Sequence, residues 1–128
     1  MKFSTMIIIC VVLIIAVVGI LSIMPGKATD VPWYAKQDKS TLEAYTFAFE
    51  SSEDLNGVNC YCGCMQHQHD GRLHSRGLLD CFTKPDGSFD RHASQCDMCI
   101  NDALQVKQMT LDGKSKAEIK AAIDAKYR

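Results

Sequence analysis

No basic stripe and no acidic tail runs through this sequence. Its 14 Lys and Arg and 15 Asp and Glu leave a formal charge of −1, with both signs scattered. That distribution excludes the electrostatic footprint of a nucleic-acid binder and that of an acidic cation sponge. Internal repeats and low-complexity tracts are absent too. Gly113-Lys114-Ser115 has the ending of a phosphate-binding loop, but Gln108 stands where the loop needs its first glycine. Ile100 follows Cys96-x-x-Cys99, so the histidine of a c-type haem attachment is missing. No general base, nucleophile pair or cofactor loop points to catalysis, and the chain reads as a non-enzyme.

What is present begins with a membrane signal. Phe3 to Met24 carries no charged residue, and its length matches the ~20 residues that cross a bilayer core as a helix. Pro25-Gly26 ends it. The competing reading is a secretory signal cut after Gly26-Lys27-Ala28, but the apolar run exceeds the usual ~7–15-residue signal core. The reading adopted is a transmembrane anchor over 1–24 that contacts membrane lipid through residues 3–24. Lys27, Lys36 and Lys39 after the span dilute the positive-inside signal. Cysteine usage points the remainder to the extracytoplasmic side of the cell membrane. Cys10 reads as a small apolar residue of the span.

A linker over 25–39 follows, then a domain over 40–128. Roughly one hundred residues make one small domain with a modest core, for which disulfides or a metal would be a useful staple. Trp33-Tyr34 suits either the membrane interface or the domain surface. Ser40-Thr41-Leu42-Glu43 reads as a capping box opening a helix to about Ser52, with Leu42, Tyr45 and Phe49 on its buried face. Gly77 to Thr83 reads as a short strand or one helical turn. Pro85-Asp86-Gly87 reads as a turn that could close a small hairpin. A second helix is expected from about His92 to Leu111, stopped by Asp112-Gly113. Ser115-Lys116-Ala117-Glu118 is a further capping box, opening a last helix with Ile119, Ala122, Ile123 and Tyr127 on one face. The fold class is mainly α: one transmembrane helix plus a small Cys/His-rich domain of about three helices with an irregular loop or short hairpin.

Six cysteines lie beyond the span: Cys60, Cys62, Cys64, Cys81, Cys96 and Cys99. All four histidines, His67, His69, His74 and His92, fall in the same stretch. In an extended backbone Cys60, Cys62 and Cys64 would share one face. In a helix His92, Cys96 and Cys99 would share one face at i, i+4 and i+7. Two three-donor rows that face each other would form a metal site, with Cys81, His67, His69 and Met65 as possible auxiliaries. His74, between Arg72 and Arg76, reads as a surface residue. Soft thiolate and thioether donors favour copper(I), with zinc or an iron–sulfur cluster as the other options.

An even number of cysteines in a small exported domain is also the usual disulfide signature. A disulfide-stabilised, non-catalytic interaction module is therefore the alternative. A third reading makes Cys96-x-x-Cys99 a thiol–disulfide redox pair, but the βαβ setting of a thioredoxin-like fold is missing.

With these residues the chain resembles the family of exported bacterial proteins named for a PCYCGC motif. The match is Asn59-Cys60-Tyr61-Cys62-Gly63-Cys64, with Asn59 where the family has proline. It continues through His67/His69, Leu78-Leu79-Asp80-Cys81-Phe82, His92-Ala93-Ser94, Cys96-x-x-Cys99 and Gly113-Lys114-Ser115, over about residues 40 to 127. The resemblance implies a membrane-attached, extracytoplasmic protein, in many members a lipoprotein, and no established activity. Loss of the proline would loosen the start of the cysteine loop. The combined expectation is a metal-binding protein, copper first and zinc second, that holds or transfers metal or serves as accessory subunit of a larger membrane complex.

Overall fold

The computed structural model describes residues 30–128. Four α-helices form the frame: α1 (Lys39–Glu50), α2 (Ser52–Leu55), α3 (Asp97–Leu111) and α4 (Lys116–Lys126). Short 3-10 turns lie at Trp33–Lys36, Gly77–Cys81 and His92–Gln95. Among the described residues there are no strands, only the isolated antiparallel bridges His69–Arg72 and Thr83–Phe89. The expected hairpin at Pro85-Asp86-Gly87 is thus one bridge around a tight turn.

The fold class needs one correction. No helix among the described residues is long and apolar enough to cross a membrane. The span expected over 3–24 lies outside those residues, and the described residues form a mainly helical domain with no membrane-crossing helix among them.

Helix α1 starts earlier than the sequence reading. Asp38, not Ser40, is the N-cap, and its carboxylate accepts the Thr41 amide at 2.9 Å. Glu43 is then free to reach across to Lys107 at 2.8 Å. The buried face shifts with the start. Thr41, Ala44, Tyr45, Phe47 and Ala48 are buried, whereas Leu42 and Phe49 are 38% and 39% exposed. Small residues at 44 and 48 let α1 lie close against α3, its main packing partner. Tyr45 sits at the centre: its ring meets Phe82 edge-on at 5.1 Å, and its hydroxyl donates to the Asp90 carbonyl at 2.7 Å. Tyr34 packs edge-on against Tyr45, while Trp33 stays exposed under the Arg91 guanidinium.

The expected helix from His92 to Leu111 is interrupted. His92–Gln95 is a 3-10 turn, Cys96 is extended (φ −137°, ψ 97°), and α3 begins at Asp97. His92, Cys96 and Cys99 still come together, within mutual ligand distance, across that break. Helix α4 matches the sequence: Ser115 and Glu118 form a reciprocal capping box, and Ile119 and Ile123 are buried. Asp102, fully buried in α3, accepts from Lys126 at 2.7 Å and from Tyr127 at 2.9 Å, which pins the end of α4 to α3.

Candidate metal centre

Four separate segments deliver donors to one place. The first is the loop Cys60–Cys64. It is a turn rather than an extended strand: Gly63 has φ +95°, and its carbonyl accepts the amides of Gln66 and His67. The turn folds the three sulfurs together, with Cys60 3.1 Å and Cys64 2.9 Å from Cys62. The Met65 sulfur accepts the Cys60 amide at 3.2 Å, which ties the turn to its own start.

The second and third segments are His74 and the 3-10 turn Gly77–Cys81. Gly77 makes their placement possible. Its φ is +68°, and a Cβ there would stand 2.0 Å from the Val58 carbonyl oxygen. The same carbonyl accepts the Leu78 amide at 2.8 Å. That close approach sets Cys81 3.5 Å from Cys60 and 3.8 Å from Cys64. His74 Nδ1 lies 3.4 Å from the Cys81 sulfur.

The fourth segment is the break before α3. His92 Nε2 is 3.4 Å from the Cys62 sulfur, and Cys99 is 3.7 Å from Cys60 and 3.8 Å from Cys62. Cys96 joins Cys62, His92 and Cys99 within mutual ligand distance. Three donor groups result, each with its atoms within 4.8 Å of one another: Cys60-Cys62-Cys64-Cys81, Cys62-His92-Cys96-Cys99, and Cys64-His74-Cys81-His92.

These spacings separate metal from disulfide. A sulfur–sulfur bond is about 2.0 Å long, and the six cysteines among the described residues are free thiols with no pair at that distance. The disulfide-stapled module expected as the alternative therefore has no bond in this structure. A tetrahedral thiolate site with metal–sulfur bonds of about 2.3 Å has sulfurs about 3.8 Å apart. Most contacts here, 3.5 to 3.8 Å, fall at that edge length.

The crowding also decides who holds protons without a metal. Contacts first from Cys60 and then from Cys64 hold Cys62 far below the usual thiol range. Contact with Cys62 pushes Cys60 up, but Cys64, Cys81 and Cys99 outweigh it and bring Cys60 to about 4. Cys64, Cys81 and Cys99 are each raised, most by the Cys60 contact, and stay protonated. His92 is raised to about 10, first by its bond to Cys62. A metal that takes His92 must displace that proton. His74 is lowered by burial and then by Arg72, which leaves a neutral imidazole.

Residue 59 bears on the motif. Where a proline would stiffen the start of the loop, the Asn59 amide donates to Asp124 of α4 at 2.9 Å. Tyr61 donates to the same carboxylate at 2.8 Å and stacks on Tyr127 at 4.7 Å. Those bonds hold the loop in place of the ring.

The chain belongs to the PCYCGC-motif family. The match covers residues 25–128, and the family is described as a protein of unknown function with PCYCGC motif. No curated protein and no solved structure matches the chain.

Within this PCYCGC-motif protein the sequence-predicted donors fall into three classes. Cys60, Cys62, Cys64, His92, Cys96 and Cys99 are brought together. Cys81, expected only as an auxiliary, is fully buried at the centre of two groups. His67 and His69 are exposed and join no group, although the His69 ring stands 4.3 Å from His92. The surface reading of His74 is overturned: it is 1% exposed. Its flanking arginines, which suggested solvent, turn to buried carboxylates. Arg72 reaches Asp90 at 2.6 Å, and Arg76 reaches Asp80 at 2.7 Å. No local pattern in the sequence marks that burial, since Arg72 and Arg76 read equally well as facing solvent.

Proposed function

We propose that this domain holds a soft metal ion, copper(I) before zinc, and releases it to an acceptor, without catalysing a reaction. The observation that carries the reading is the convergence of eight donors, six sulfurs and two imidazoles, into three overlapping groups. Sulfur outnumbers nitrogen three to one, which favours copper(I) over harder ions. Zinc stands second because the sulfur spacing also suits a tetrahedron. The donors face one another instead of a cleft, which supports binding rather than turnover.

Release is supported by the asymmetry of burial. Cys60, Cys64, Cys81, Cys99 and His74 are buried, while Cys62, His92 and Cys96 form a half-open rim. His69, its side chain 44% exposed, abuts that rim. An acceptor's ligands can reach a metal from this side.

The test is elemental analysis of the purified full chain, followed by competition titration with copper(I) and zinc. Wild type should retain stoichiometric metal with copper(I) preferred, Cys62→Ser should lose most of it, and Cys96→Ser should hold less than wild type. Full chain that takes up neither ion under reducing conditions would overturn the reading.

A further inference from the structure

The three donor groups overlap, and their overlap limits how they can be filled. We infer that the centre is binuclear: one buried ion on Cys60, Cys62, Cys64 and Cys81, one rim ion on Cys62, His92, Cys96 and Cys99, with the Cys62 sulfur bridging them. This rests on the metal-binding reading above and adds the number, position and inequivalence of the ions.

Lone-pair counting selects this pair of groups. A neutral imidazole has one acceptor nitrogen, so His92 serves one metal. The group Cys62-His92-Cys96-Cys99 and the group Cys64-His74-Cys81-His92 both need it, and cannot both be filled. A thiolate sulfur has several lone pairs and can bridge. Filling the first and second groups uses all six cysteines and shares only Cys62. Filling the first and third leaves Cys96 and Cys99 without a metal.

Position in the cluster agrees: Cys60 also reaches Cys99, at 3.7 Å, but Cys62 is the sulfur in contact with both the buried cysteines and His92. The Cys62 sulfur lies within 3.8 Å of Cys60, Cys64, Cys99 and His92, so it touches donors of both groups.

His74 then falls outside the ligand set. Its nitrogen 3.4 Å from the Cys81 sulfur makes it a positioning residue that fixes the direction of the Cys81 side chain. The two ions differ in access. The buried site has three buried cysteines and only Cys62 toward solvent, whereas the rim site has three half-open ligands and one buried cysteine.

The experiment loads the full chain with copper(I) under reducing conditions. It measures metal per chain, the time course of removal by an excess of a copper(I) chelator, and the X-ray absorption spectrum of the loaded protein. Expected are two ions per chain, removal in two phases of equal amplitude, and a metal–metal scattering shell. Cys96→Ser, at the half-open rim, should keep one ion and lose the fast phase and the metal–metal shell. Circular dichroism checks that this variant folds. A single ion in wild type, lost in one phase and without a metal–metal shell, overturns the binuclear assignment and leaves the metal-binding reading standing. Two ions with no metal–metal shell overturn the bridge. No ion at all overturns both readings.

Discussion

Gly77 is where one added methyl group would cost most. Its φ of +68° is a conformation that side chains rarely adopt, and its Cβ would stand 2.0 Å from the Val58 carbonyl oxygen. The backbone there cannot retreat, because that carbonyl also accepts the Leu78 amide at 2.8 Å. Gly77→Ala should destabilise the domain by more than about 3 kcal/mol, read as a lowered midpoint in urea unfolding. Metal uptake should fall with it, since the turn aims Cys81. A midpoint unchanged from wild type would mean that the close approach is not needed. At this scale the sequence was legible for residue type and not for direction. Six cysteines and His92 announced themselves by density and spacing. His74 did not, because polar neighbours look the same in sequence whether they face water or a buried carboxylate. Only Arg72 on Asp90 and Arg76 on Asp80 distinguish the two.

Among the elements, those defined by local chemistry were readable and those defined by distant contacts were not. Helix α4 has both halves of its capping box within four residues. The Ser115 hydroxyl accepts the Glu118 amide, and the Glu118 carboxylate accepts the Ser115 amide at 2.8 Å. Ser115→Ala should therefore cost about 1 kcal/mol, seen as a small loss of thermal stability with metal content unchanged, because α4 supplies no donor. Loss of metal in that variant would show that α4 anchors the cysteine loop more firmly than Asn59 and Tyr61 on Asp124 imply. For helix α1 the local pattern pointed to a cap at Ser40 with Glu43. The choice went to Asp38, and Glu43 pairs with Lys107 of α3. That partner is 64 residues away and invisible to a local pattern. The break at Cys96 has the same character. Nothing between His92 and Cys99 forbids a continuous helix by propensity, yet Cys96 adopts φ −137°, and the cluster is built around that kink.

Taken whole, the domain has a small core and donors spread along the chain. Its largest fully buried side chains include Tyr45, Phe82, Leu55, Leu78 and Ile123. A core of that size leaves a domain of this length only modestly stable. The donors come from residues 60–64, 74, 81 and 92–99, so a bound metal would cross-link four segments that otherwise meet through packing, a few backbone hydrogen bonds such as His74 to Cys64, and the Arg72 and Arg76 ion pairs. Such binding exists in the folded state alone, and its free energy becomes folding free energy. At a free metal concentration a thousand times Kd the gain is about 4 kcal/mol. For roughly one hundred residues each 1 kcal/mol raises Tm by about 4–8 °C, so loading should raise the midpoint by more than about 15 °C. The measurement is a thermal scan of the full chain, loaded and after treatment with chelator and reductant. Cys96→Ser, which keeps the buried ion, should retain part of the shift. Cys62→Ser, which removes the shared sulfur, should retain little. Equal midpoints for loaded and stripped wild type would mean that the metal is held no more tightly by the folded domain than by the unfolded chain, and that the cluster does not brace the fold.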